Sequence, residues 1–391
     1  MNRWLILAGY ALLMVATQTL WLTYAPITTA SAAAMHTSVA HIGWLSALPQ
    51  LVYVLIALPT GNWLDRRFSA ALATGAGLIV ASALLRLAFP GAFAWQLATQ
   101  LIYAAGQPLV LNAVTKLAAV YFPQRERPAA ISIGTAGMFL GILVAMFSGP
   151  RLAAAGGLRA VYATQALLAV VAAAWTLLGL RTPAPGSAGA EAQVGHVSLA
   201  WLRGDRLMWL LAGLIFIGFG IFNSLSTWLQ AILAHFGISA VASGDIFAAL
   251  TLAGIVGSAT IAPLMASRGH RRGLILLALV TGSAALCAVA WRHDTPWIGG
   301  WLAFSGFFQL AALPAILDWA EQHAGPDRQG SAVAFLLLAG NLGGLVLVLV
   351  LQPLVAHPVY ALLALELAVA IAVPLALALP RHPRAAAAGS S

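Results

Sequence analysis

Long apolar runs separated by short polar breaks fill this chain from end to end. Runs of about 20 residues cross a 30 Å hydrocarbon core as a helix. Such runs lie at 4–26, 41–62, 69–89, 93–121, 128–149, 159–180, 207–234, 243–266, 273–291, 297–321, 329–353 and 358–380, and predict twelve transmembrane helices. The longest polar break, 181–206, is rich in Pro, Gly, Ala and Ser and divides the runs six and six. The expected organisation is an N-terminal six-helix bundle over 1–180, a linker over 181–206, and a C-terminal six-helix bundle over 207–391 that ends in a short tail.

Composition agrees with that pattern. The chain is 61% hydrophobic and 7% charged, with a mean hydropathy of +0.92, whereas a soluble domain carries about 25% charged residues. Basic residues orient it. With the N-terminus inside, fifteen fall on the cytoplasmic side, among them Arg3, Arg66, Arg67, Lys116, Arg268, Arg271, Arg272, Arg381 and Arg384. Four fall on the other side: Arg86, Arg151, Arg159 and Arg292. Both termini and the linker are therefore expected in the cytoplasm, in a bacterial-type inner membrane. The net charge of +9 sits in short loops, so it does not point to nucleic acid. Met1-Asn2-Arg3 runs straight into the first apolar run, so no cleavable signal is expected. Cys287 is the single cysteine, which excludes a disulfide framework and most thiolate metal sites. The nine histidines, including His36, His41, His196 and His382, fall in loops or at span ends and give a haem or a metal little support. The expected partners are the bilayer and a small-molecule substrate, with no cofactor, no enzymatic site and a monomeric state.

Polar residues inside apolar runs are where function is sought. Gln18, Trp21 and Tyr24 recur three apart in the first run and share one stripe. Gln100, Tyr103, Gln107 and Asn112 mark the fourth, Phe139 the fifth, Asn223 the seventh, Gln309 the tenth and Asn341 the eleventh. The set is amide and aromatic, suited to a ligand held by stacking, cation–π contact and a few hydrogen bonds. The alternative is that each amide joins two helices and each aromatic anchors an interface. Glycine patterns such as Gly134, Gly137 and Gly141 read mainly as helix-packing positions. Carboxylates within the runs are few. Glu366 lies deep in the last run as a neutral hydrogen-bonded acid or a proton site. Asp318, with Glu321, stands near a span end as a gate paired to loop arginines or a second possible proton site.

The stretch Gly61-Asn62-Trp63-Leu64-Asp65-Arg66-Arg67 packs three charges between two apolar runs, so it must lie at a membrane face. There Gly61 permits close helix approach, Asp65 caps the next helix or bridges to a neighbour, and the arginines anchor the loop. A degenerate echo, Pro263 to Arg272, carries Arg268, Arg271 and Arg272 and lies 202 positions on (268 − 66), about half the chain. The pattern resembles the loop signature of the major facilitator superfamily, which implies an all-α fold of two pseudo-symmetric six-helix bundles around a central cavity, the bundles rocking about a midplane site. The two charged loops would then form a conformational latch.

A narrower likeness rests on Trp21-Leu22-Thr23-Tyr24-Ala25-Pro26-Ile27, Ile42-Gly43-Trp44-Leu45-Ser46, Gly106-Gln107-Pro108 and Ser132-Ile133-Gly134, and in the second half on Phe222-Asn223, Leu313-Pro314 and Pro326. These resemble the FLVCR (feline leukaemia virus subgroup C receptor-related) family, which implies transport of choline or ethanolamine, with haem in earlier proposals. By that resemblance Trp21 supplies an aromatic site for a quaternary ammonium. Asn341, Phe139 and Asn223 stand where the family has glutamine, glutamine and tyrosine, which favours a larger or more apolar solute. A proton-coupled exporter of drugs, siderophores or haem, and a non-transporting receptor, are the alternatives.

Overall fold

Hydrocarbon offers no partner to backbone N–H and C=O groups, so an apolar run must close its hydrogen bonds within one helix. The computed structural model, which describes residues 2–182, 200–325 and 328–380, follows this rule and has no strand among the described residues. His196, Pro326, Arg381, His382, Arg384 and most of the 181–206 linker lie outside the described residues. The helices are α1 (Arg3–Trp21), α2 (Thr28–Ala34), α3 (Val39–Arg66), α4 (Phe68–Leu85), α5 (Phe93–Leu111), α6 (Ala113–Tyr121), α7 (Arg127–Leu180), α8 (Arg206–Ala234), α9 (Ala240–Ser267), α10 (Arg271–Trp291), α11 (Thr295–Ala324), α12 (Gln329–Leu351) and α13 (Pro358–Leu377).

Ten stretches of the described residues are long and apolar enough to cross a membrane. Two more crossings bring these to the twelve expected. Helix α7 holds two spans joined at Gly156 and Gly157, where Gly157 takes φ +64°, a conformation that glycine adopts without strain. The expected gap at 150–158 narrows to these two glycines, and Pro150 stays inside the helix. The other crossing is α5 with α6, whose amides Gln96, Gln100 and Gln107 dilute its apolar character.

The first span differs from expectation. Helix α1 closes at Trp21, and the chain turns through a 3-10 segment at Ala25–Ile27 before α2. Pro26 has no N–H to give the carbonyl of Leu22, so the helix cannot run to 26. Tyr24 therefore leaves the stripe of Gln18 and Trp21.

By backbone packing the chain divides into two compact units, one up to residue 195 and one from residue 196. In the first, α1 lies along α7, α5 is flanked by α3 and α4, and α4 reaches α7. In the second, α8 lies along α12, α11 is flanked by α9 and α10, and α10 reaches α13. The same helices meet in the same way in each unit, as a duplicated sequence requires.

Small residues set the closest approaches. A Cβ on Gly137 would sit 2.6 Å from the Ala11 carbonyl oxygen, and one on Gly141 2.7 Å from both the Val15 oxygen and Cβ of Gln18. In the second unit a Cβ on Gly344 would sit 2.6 Å from Nδ2 of Asn223. Each unit thus packs an amide of its first helix onto a glycine of its fifth span. Gly61 does not behave this way: nothing lies within 4 Å of a Cβ there, so the expected close approach is absent.

Candidate functional site

The first unit is built around a cation that sequence reading counted only among the four basic residues of the non-cytoplasmic side. Arg86, just past the end of α4, is 1% exposed. Its guanidinium donates to Oγ1 of Thr23 (2.7 Å), to the carbonyl of Leu20 (3.3 Å) and to Oε1 of Gln100. Gln100 in turn donates to the Leu45 carbonyl at 2.7 Å. The rings of Tyr24 and Tyr103 face the guanidinium with centroids 5.8 and 5.9 Å away. Tyr24 donates to Oε1 of Gln96 at 3.0 Å, and Gln96 donates to the Arg86 carbonyl at 3.1 Å. Among the described residues Arg86 has no carboxylate partner. The signal was present in the sequence: Arg86 falls inside the apolar run 69–89, and a charge inside a span marks function by default.

The sequence-predicted residues of the first unit lie on α1, just beyond it, and on α5 and α7, which both pack on α1. Gln18 is 3% exposed, and its Oε1 is buried with no hydrogen-bond partner. Trp21 lies one turn on, on the same face of α1. Gln107, also buried, lies on the stretch of α5 that is tied to α1 by Tyr103 donating to the Thr17 carbonyl and Tyr10 to the Val110 carbonyl, both at 2.8 Å. Phe139, half-buried, sits between the two glycines of α7 that receive α1. Tyr24 is wholly buried and occupied with Arg86, Gln96 and Tyr162.

The sequence-predicted amides of the second unit each donate to a group on their own helix. Asn223 donates to the Phe219 carbonyl (2.9 Å), Asn341 to that of Leu337 (2.8 Å), and Gln309 to Oγ of Ser305 (2.6 Å). Asn223 and Asn341 are short amides one turn above a carbonyl, which is the geometry of helix back-bonding.

The charged stretches also resolve. Helix α3 continues through Arg66, so only Arg67 separates it from α4, and no side chain caps α4. Asp65 instead pairs with Lys116 of α6 at 3.6 Å, while Arg66 and Arg67 are exposed. In the second unit Gly269 makes the turn with φ +71°, Arg268 and Arg272 flank it, and buried Arg271 donates through Nε to Asp318 at 2.9 Å. Asp318 is thus committed to an ion pair. Two further pairs close the same ends, Arg3 with Glu126 (2.8 Å) and Asp205 with His323 (2.7 Å). Adding the offset of 202 takes Arg3 to Asp205 and Lys116 to Asp318. Equivalent positions carry opposite charges, and each finds its partner within its own unit.

Glu366 on α13 accepts from Ser283 (2.9 Å) and Cys287 (3.4 Å) of α10. Its neighbour Leu367 is 62% exposed and Cys287 is exposed. The carboxyl therefore lies at the outer seam of two helices.

The family profile described as Major Facilitator Superfamily matches residues 6–387. The chain belongs to the major facilitator superfamily. This facilitator is 26% identical over 380 residues to solute carrier family 49 member A3 of Xenopus tropicalis, covering 90% of this chain and 78% of that protein. It is 29% identical over 300 residues to the cyanate transport protein CynX of Escherichia coli strain K12, covering 75% and 74%. Among solved structures, a point mutant of the nucleoside transporter NupG matches with a TM-score of 0.74 at 16% identity, over 95% of this chain and 98% of that one. A bacterial homologue of the human lysosomal transporter Spinster, inward-facing and unoccupied, matches with 0.71 at 17%, over 96% and 95%. Those two likenesses show the fold: an all-α facilitator of two pseudo-symmetric bundles. The facilitator is a multi-pass membrane protein and a secondary transporter of a small molecule.

Proposed function

We propose that this facilitator carries a small organic solute, without proton coupling, at a site centred on Gln18 and Trp21. The observation that supports this reading is the buried, unpartnered Oε1 of Gln18. A buried acceptor left unpaired costs roughly 1–3 kcal/mol, which a donor on the solute offsets. Gln107 offers a second amide, and the indole of Trp21 offers a flat face to an apolar or quaternary end. The resemblance to the FLVCR family favours a choline-like head, and the likeness to solute carrier family 49 member A3 accords with that resemblance. The likeness to a cyanate transport protein adds small anions to the range. Proton independence is supported by the engagement of Asp318 with Arg271 and by the place of Glu366 at an outer seam. The arginine-rich ends are taken to lie in the cytoplasm of an inner-membrane monomer.

Counterflow of labelled choline, its carboxylate analogue glycine betaine, ethanolamine and cyanate into proteoliposomes tests the reading. Trp21→Ala and Gln18→Ala are each expected to reduce uptake of the carried solute about tenfold or more, the equivalent of 1.4 kcal/mol. Glu366→Gln and a change from mildly acidic to mildly alkaline pH are expected to leave it unaltered. Uptake that both site variants retain in full would overturn the site. Steep pH dependence abolished by Glu366→Gln would favour the proton-coupled exporter instead.

The latch carries its own expectation. Asp65 is half-exposed and 3.6 Å from Lys116, so the pair contributes little to stability. Asp65→Asn is expected to slow turnover several-fold while leaving solute affinity within about twofold, as expected when a conformational step limits turnover. An equal loss of affinity and turnover would count against a latch.

A further inference from the structure

The resident cation of the first unit has a consequence for what can bind beside it. We infer that Arg86 is a specificity-determining residue that holds the Gln18–Trp21 site at positive potential, so that the site selects solutes bearing a carboxylate over solutes that are only cationic. This rests on the site proposed above and narrows its substrate class.

A guanidinium keeps its charge at any working pH, and no carboxylate among the described residues of the first unit pairs with this one. The two described carboxylates of that unit are Asp65 and Glu126. Asp65 lies at the far end of α4, a helix of 18 residues and so about 27 Å long. Glu126 pairs with Arg3 at the start of α1, whereas Arg86 bonds to Leu20 near its end. What faces Arg86 is dipolar: the carbonyl end of α1, the Thr23 hydroxyl, the Gln100 amide and two tyrosine rings. A helix C-terminus supplies roughly half a negative charge, so part of the positive charge stays uncompensated. Its Nε, moreover, is buried without an acceptor.

The site lies close to that charge. Arg86 bonds the carbonyl of Leu20, the residue that precedes Trp21 and lies two beyond Gln18. A solute on Trp21 is then about 10 Å away, where unit charges at an effective dielectric near 20 still interact by more than thermal energy. Two of the aromatic faces a cation would seek, Tyr24 and Tyr103, already serve Arg86. A quaternary ammonium alone meets like charge. The same ammonium joined to a carboxylate can lay its apolar end on Trp21 and direct its acid toward the arginine.

The test reads the potential first, without any solute. In a Cys287→Ser background, Gln18→Cys is reacted in proteoliposomes with an anionic and a cationic methanethiosulfonate of matched size. The anion-to-cation rate ratio, normalised to a small free thiol, is expected to be at least about tenfold, as the charge and distance require. Arg86→Gln is expected to bring it near that of the free thiol, and Arg86→Lys to keep most of it. A ratio at or below the free thiol with Arg86 in place overturns the proposal, and this holds even if Arg86→Gln fails to fold. A ratio that Arg86→Gln leaves unchanged overturns it equally, and no reaction with either reagent overturns the site itself. Transport then checks specificity: glycine betaine should exceed choline at least about tenfold in kcat/KM, and Arg86→Gln should narrow that gap. If neither is carried, the transport reading fails for these solutes, while the thiol ratio still decides the role of Arg86.

Discussion

Arg86→Ala is expected to be the most destabilising single substitution in the first unit. It leaves Oε1 of Gln100 without its donor, removes one of the donors to the Leu20 carbonyl, and opens a cavity between Tyr24 and Tyr103. Each buried group left unpaired costs roughly 1–3 kcal/mol, so a loss of about 3 kcal/mol or more is expected. For a unit of this size that lowers Tm by about 8 °C, read by thermal unfolding of the detergent-solubilised protein. Arg86→Lys, which keeps the charge and loses the planar fork, should lose about half as much. A Tm unchanged by Arg86→Ala would mean that the network is not a source of stability.

The second large effect is steric. Gly141→Val places branched carbon where Cβ alone would stand 2.7 Å from the Val15 carbonyl and from Cβ of Gln18. Backbone of a packed helix cannot give way as a flexible side chain can, so overpacking of about 3 kcal/mol is expected. Gly61→Ala is the internal control. Its Cβ meets nothing within 4 Å, and it should be neutral or gain up to about 1 kcal/mol of helix propensity. Equal tolerance at both positions would show that the seam of α1 and α7 is looser than described.

These two substitutions mark where sequence reading succeeds and where it stops. The all-α fold was legible because hydrocarbon permits few alternatives to helices of about 20 residues. Even the span over 93–121, rich in glutamine, could be placed because a Pro-Gly turn at Pro90 and Gly91 precedes it and the charged break Arg125-Glu126-Arg127 follows it. Glycine spacing identified the packing stripe at Gly137 and Gly141, yet the same reasoning failed at Gly61, since spacing does not say what stands opposite. The candidate amides could be named because polar residues in such runs are few. Which of them closes on its own backbone could not. Asn223 and Asn341 reach a carbonyl one turn back, while Oε1 of Gln18 faces no acceptor-seeking group. The burial of Arg86 was the largest omission. Position alone counted it among the four basic residues of the non-cytoplasmic side, and only the convergence of Leu20, Thr23 and Gln100 turns it inward.

That convergence also has an order in time. As the chain leaves the ribosome, Leu20 and Thr23 enter the bilayer before Arg86, 66 and 63 residues ahead of it. Gln100 follows only 14 residues later, so the guanidinium waits briefly for its amide. Gln165, which holds Thr23 from the far segment of α7, arrives last. The nascent chain thus has every hydrogen-bond acceptor of its buried cation once four spans are made. Assembly of the first unit can start from its N-terminal end, with the later spans closing over a charge already sheltered.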